Sequence, residues 1–234
     1  MSYKIIEDYI TPNKWSRPQK TAVVEWICIH WEAVVNAKAE SVRNFFENRK
    51  YGNDGYGSAH EVLDNKGEYT LKLIPDNEMA YSVGSKSYTT EKYKMMGDTY
   101  PNSVVYSIEC PTIDLQGNIS GKVYNLMVER SADLLIEYGL DIDRLTLHGI
   151  IAGKDCHKYF CPEWNSVDYG RWNKFLGEVK KMYDDKLNNK PSDWARDAWN
   201  WAIETGLLDG SNPQEGLTRE MYAQAEYNKI KKGE

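Results

Sequence analysis

The run "TAVVEWICIHWEA" (21–33) constrains the fold more than any other stretch. Its β-branched, apolar character predicts a buried strand that ends at His30. Alternation along a strand puts Cys28 and His30 on one face and Ile27 and Ile29 on the other. Helical spacing follows at once in "AKAESVRNFFENRKY" (37–51), through Ala39, Val42, Phe45 and Phe46. The segment "AHEVLDNKGEYTLKLIP" (59–75) predicts a β-hairpin turning at Asn65-Lys66-Gly67. Another strand is predicted in "NSVVYSIECPTI" (102–113), carrying Glu109 near its end. "VYNLMVERSADLLIEYGL" (123–140) predicts an amphipathic helix capped at Gly139. A short strand at 143–149 and a helix at 169–187 complete the pattern. Strands interleaved with helices imply an α/β fold, a mixed central sheet flanked by helices.

The polar segment "LNNKPSD" (187–193) reads as a linker, dividing the 234-residue chain into 1–186 and a small helical domain at 194–234. The formal charge of −6 argues against nucleic acid as a partner. No apolar run is long enough for a membrane span, so no membrane partner is expected. No basic start followed by an apolar run marks a signal peptide. The expected product is therefore made in the cytoplasm, and any action outside requires release. Four cysteines are too few for a disulfide framework, so clustered Cys and His point first to metal or catalysis.

That cluster is "LHGIIAGKDCHKYFCPEW" (147–164), with His148, Cys156, His157 and Cys161. A catalytic zinc takes three protein ligands of the His/Cys/carboxylate type and keeps one position open. His30 and His148 both fall at predicted strand ends and converge if those strands are neighbours. A cysteine on the loop after His148 supplies the third donor. His157, beside Cys156, is expected to point away to the surface.

Four segments in order resemble the type-2 N-acetylmuramoyl-L-alanine amidases, which share their fold with peptidoglycan recognition proteins. "WICIHWEA" resembles the first zinc-histidine motif. "GYGSAHEVLDNKGEYTLKLIPDNEMAYSVGS" is similar to the segment that follows it. "NSVVYSIEC" resembles the strand bearing the active-site Glu, and "LHGIIAGKDC" the second zinc His with its Gly-Lys-x-Cys-Pro motif. The match spans roughly residues 20–180 and has the style of phage endolysins that attack Gram-positive walls. The resemblance implies Zn²⁺ held by His30, His148 and Cys156. It implies cleavage of the amide between N-acetylmuramic acid and L-alanine by zinc-activated water, on bacterial peptidoglycan. Glu109 would shuttle the proton, and Lys154 would steady the oxyanion.

The cysteine is split between two positions. Cys156 has the family's spacing of eight residues from His148 and has Lys154 two before it, but His157 follows. Cys161 is followed by Pro162 but stands thirteen residues from His148. Spacing favours Cys156 and leaves Cys161 as the alternative. His60 is read as structural or groove-lining, Cys28 and Cys110 as core. Tyr81 precedes Ser82-Val83-Gly84 where relatives carry His-x-Gly, which leaves a substrate role there in doubt. Two other functions stay open: a non-catalytic peptidoglycan-binding module on the same fold, and a zinc peptidase cutting within the stem peptide.

In the C-terminal segment, "SDWARDAWNWAIETGLLDGSNPQEGLTREMYAQ" (192–224) places Trp194, Ala198, Trp201 and Ala202 on one helical face, with Thr218 as N-cap of a last helix. It resembles one S-layer-homology repeat, which implies binding to wall polysaccharide. A helical pair of this length buries little core alone, so it is expected to dock on the catalytic domain or to form a homo-oligomer.

Overall fold

The 21–33 run forms strand β2, Trp26–Val35, next to the edge of the sheet, and it runs on past His30, where the sequence pattern ends it. It starts later than the pattern suggests. The backbone before it is held outside the sheet, with Val23 and Glu25 donating to the carbonyls of Ser103 and Val104. This computed structural model describes residues 3–188, 191–206, 208, 210, 213 and 218–232. The chain divides into two compact units, Met1–Lys180 and Lys181–Glu234.

The first unit holds a six-stranded sheet in the order β1-β4-β3-β5-β2-β6. Its strands are β1 (Lys4–Glu7), β2, β3 (Glu61–Leu63), β4 (Tyr69–Lys72), β5 (Val105–Thr112) and β6 (Leu145–Leu147). β3 and β4 pair antiparallel, and the other neighbours are parallel. The hairpin turns where expected. Gly67 has φ +71°, and a Cβ there would meet the Lys122 backbone at 2.7 Å. Only glycine meets both the left-handed backbone and that close approach.

Register divides the sheet into two working faces. Ile27 pairs with Tyr106, Ile29 with Ile108, and Ile108 also with Glu61. This face lies under α3 (Gly121–Glu137), whose buried residues Val123, Leu126, Met127, Arg130, Leu134 and Leu135 recur at helical spacing. Ser120 caps α3 by accepting from the Val123 amide. The other face carries Trp26, Cys28 and His30, with Val105, Ser107 and Glu109 as their β5 neighbours. Three helices cover it. α1 (Ala39–Asn48) packs Val42 and Phe46 against Val62 and Leu71. α2 (Thr90–Met96) and α4 (His148–Ala152) pack Met96 and Ile151 around Trp26 and Cys28.

β1 and α2 are additions to the sequence-based pattern. α2 has a cap that could have been read, since Thr89 accepts from the Lys92 amide. β6 ends at Leu147, so His148 opens α4 rather than closing a strand. α5 (Tyr169–Asn188) runs on through the start of the expected linker. No described helix is long and apolar enough to cross a membrane.

In the second unit, α6 (Arg196–Glu204) meets α7 (Thr218–Lys232) through Trp199, Ala202 and Ala223. The buried face therefore uses Trp199, and Trp194 is 60 % exposed. Trp194 lies in a 3₁₀ turn ahead of α6 and so falls out of the helical register assumed for it. The Thr218 side chain, on which the expected cap rests, and most of the "DGSNPQ" turn lie outside what the structure describes.

Candidate metal centre

Parallel pairing of β2 with both β5 and β6 assembles the centre. Ile29 pairs with Leu147, so the next residues, His30 within β2 and His148 just past the end of β6, come together. Their ring centroids are 4.7 Å apart. The loop after α4 folds back, with the Gly149 amide donating to the Cys156 carbonyl. That return places Cys156 Sγ 3.7 Å from His30 Nδ1. One donor atom each from His30, His148 and Cys156 lie within 4.8 Å of one another. The three residues are 3 %, 5 % and 8 % exposed. This is the one such His/Cys/carboxylate group of three or more among the described residues.

Electrostatics favours neutral imidazoles. Burial pushes His30 well below the usual histidine range, with His148 and Lys154 adding to the shift. Burial and then Lys154 push His148 down to about 3. A neutral imidazole keeps the lone pair that ligation needs. Nε2 of each ring is buried without a hydrogen-bond partner. Burial holds the Cys156 thiol up, so a neighbouring cation is what would favour its thiolate. Two imidazoles and a sulfur, with orphaned ring nitrogens, fit a single borderline-soft cation.

Glu109 is the β5 register partner of His30. Burial raises its carboxyl to about 8. Lys154 is half-buried, forms no ion pair among the described residues, and is close enough to lower both histidines.

Cys161 occupies a different place. It is fully buried, and a Cβ on Gly149 would collide with its Sγ. Gly149 is thus the residue that lets the loop close over Cys161. His157 is not at the surface as expected. It is fully buried beside Phe160, with ring centroids 5.6 Å apart, and its Nδ1 accepts from the Tyr159 amide. Phe160, Trp172 and Phe175 form an aromatic cluster that encloses this loop. His60 sits in a closed network, Nδ1 with Ser107 and Nε2 with the Glu78 carbonyl at 2.9 Å. Cys28 and Cys110 are fully buried, and Cys110 pairs with Trp31 on the face away from Glu109. Tyr81 packs its ring on Tyr56 at 5.1 Å.

Glu32 was not singled out from the sequence. The register of β2 shifts between Trp31 and Val35, where Ala33 takes φ +53°. Both Glu32 carboxyl oxygens end up buried without a partner. Burial, then Glu109, raises its carboxyl to about 9. It shares a cavity of about 330 Å³ with Glu109, walled by Trp31, Val34, Val42 and Phe45.

No protein-family model matches the chain. A probable N-acetylmuramoyl-L-alanine amidase of Bacillus licheniformis is 29 % identical over 65 % of the chain and 42 % of its own length. The N-acetylmuramoyl-L-alanine amidase CwlL of the same organism is 27 % identical over 80 % of the chain and 49 % of its own length. The chain thus spans less than half the length of these curated relatives. The solved structure of PlyL superposes with TM-score 0.58 at 22 % identity, over 75 % of the chain and 96 % of PlyL. The chain is therefore similar in sequence to the N-acetylmuramoyl-L-alanine amidases and has the fold of PlyL.

Proposed function

We propose that residues 1–186 form a zinc-dependent N-acetylmuramoyl-L-alanine amidase that hydrolyses bacterial peptidoglycan in the manner of an endolysin. The observation that carries this reading is the convergence of His30, His148 and Cys156 beside Glu109. Those three side chains would hold the zinc, which supplies Lewis acidity toward the scissile carbonyl. Glu109 takes the proton from the attacking water and passes it to the leaving alanine nitrogen. Burial makes the Glu109 carboxyl hold a proton more readily than an ordinary one, which suits carrying it to the nitrogen. A cation at the cluster would favour the ionised form that accepts it first. Lys154 offers an ammonium to the negative charge that grows on the carbonyl oxygen. The amidase relatives support the choice of bond.

Residues 187–193 would act as the linker, and 194–234 as a wall-polysaccharide or self-association module. The protein would be made in the cytoplasm and reach the wall after release. Wall digestion with product sequencing tests the reading. New L-alanine amino termini should appear and should vanish with a chelator, then return with Zn²⁺. Other new termini, or full activity without metal, would overturn it. Truncation near Pro191 should weaken wall binding or dissociate an oligomer. If it changes neither, the C-terminal assignment fails.

A further inference from the structure

A second concave surface shares no residue with the metal cluster or with the Glu109 cavity. It consists of two hollows of about 540 and 480 Å³ that adjoin at Lys20, Tyr56 and Tyr81. Tyr56, Tyr81 and Tyr100 line it, and the Tyr56 and Tyr81 rings have centroids 5.1 Å apart. Tyr56 is 60 % exposed, so its face is open to a ligand. At one end Tyr100 and Asn102 are fixed in place. Asn102 Oδ1 accepts from the Ser82 and Val83 amides, and Nδ2 donates to the Tyr100 hydroxyl at 2.8 Å.

The rim is cationic. Lys14, Lys20 and Lys86 are exposed and form no ion pair among the described residues. Lys14 lies over the Trp15 ring at 4.5 Å. The remaining cation, Arg17, is already held by Glu78 through two hydrogen bonds of 2.8 Å. No acidic side chain lines either hollow, in a chain with 35 acidic and 29 basic residues. A local surplus of positive charge on a negative protein marks a place where an anion is favoured.

We propose that this groove binds an anionic polymer strand built of sugar units. Flat aromatic faces stack on the C–H faces of sugar rings, and each ring leaves a polar edge for hydroxyls. Ammonium groups recognise charge rather than a planar fork, so phosphodiester and carboxylate repeats offer the same chemistry. Two hollows placed end to end suit a chain, with charges met along its length. The inference does not depend on the amidase reading, because it is read by binding alone.

The test uses the full chain and three immobilised probes: a glucosylated glycerol-phosphate polymer, polygalacturonate and uncharged dextran. The wild type should bind at least one polyanion, more weakly as salt rises. The two polyanion arms identify which anion is the source. Lys20→Glu with Lys86→Glu should lower affinity at least tenfold, and Tyr56→Ala about tenfold. The charge-matched control Lys66→Glu with Lys174→Glu, outside the groove, should bind as the wild type does. Melting curves verify that each variant is folded. Binding to neither polyanion, equal binding to dextran, or equal losses in control and groove variants would overturn the proposal.

Discussion

Two sites on opposite faces of the central sheet treat their buried charged and titratable groups in opposite ways. Under α3, Arg130 donates to both carboxylate oxygens of Glu61, at 2.7 and 2.8 Å, and Tyr106 donates to Glu61 at 2.7 Å. Both charged side chains are almost fully buried. Burial alone would raise the Glu61 carboxyl, but Arg130 and the hydrogen bonds outweigh it and hold it low. On the opposite face, Nε2 of His30, Nε2 of His148 and both oxygens of Glu32 are buried with no partner. An unmet buried polar group costs about 1–3 kcal/mol. The Glu61–Arg130 site therefore spends its charges on each other and on the scaffold. The groups around the histidine–cysteine cluster keep theirs unmet, which suits chemistry.

The comparison breaks first, and by the widest margin, at Glu109. Replacing it with Gln should lower turnover on wall substrate about 100- to 10,000-fold, the usual span for a lost general base. Metal content and melting temperature should stay near those of the parent. A variant that loses metal or unfolds would put Glu109 on the scaffold side of the division.

Arg130→Met should do the reverse. It leaves the Glu61 carboxylate buried without its partner, which costs about 3–5 kcal/mol of stability. Activity per folded molecule should change little. Denaturant unfolding followed alongside specific activity separates the two outcomes. A stable Arg130→Met protein with impaired turnover would tie the α3 face to the chemistry directly.

The next effect is read by pH. His60 is fully buried, and burial lowers it to about 4. Its Nδ1 accepts the Ser107 amide and its Nε2 donates to Glu78, an arrangement that needs the neutral ring. In the unfolded chain it titrates near 6.5. The unfolded state therefore binds more protons between about 6.5 and 4, so stability is full above that window and falls as pH drops through it, by about 3 kcal/mol. Glu61 acts further down. Its lowered folded pKa means its contribution is present above the ordinary carboxylate range and lost as the pH falls below it. His60→Gln should flatten the upper part of the curve. An unchanged slope between pH 6.5 and 4 would show that His60 is not the group being protonated.

Much of this arrangement was legible because it is written locally. The β-branched run before His30, the period of α3 and the Asn65-Lys66-Gly67 turn each specify an element from neighbours in sequence. The convergence of His30 with His148 needed only parallel neighbours, which interleaved helices already imply. What escaped was long-range. Glu61 and Arg130 stand 69 positions apart, and each reads locally as a solvated charge. Glu32 shares the face of His30 by alternation, but it lies beyond the predicted strand end and reads locally as a solvated charge. His157 reads as a surface loop residue because the rings that enclose it come largely from α5. β1 is four residues long and exposed throughout, so it carries no burial pattern to read.

The smallest effect decides the sharpest question, the two cysteines of the loop after α4. Both are buried, yet only Cys156 has its sulfur within reach of His30. Cys161 Sγ fills the space left by the missing side chain of Gly149, a packing role that any small apolar group can nearly fill. Cys161→Ala should therefore cost about 1 kcal/mol and leave zinc stoichiometry intact. Cys156→Ser should abolish stoichiometric zinc with little change in packing volume. Zinc retained by Cys156→Ser and lost from Cys161→Ala would reverse the assignment. It would require the loop to slide so that the cysteine followed by proline, not the one at the eight-residue spacing, meets the two histidines.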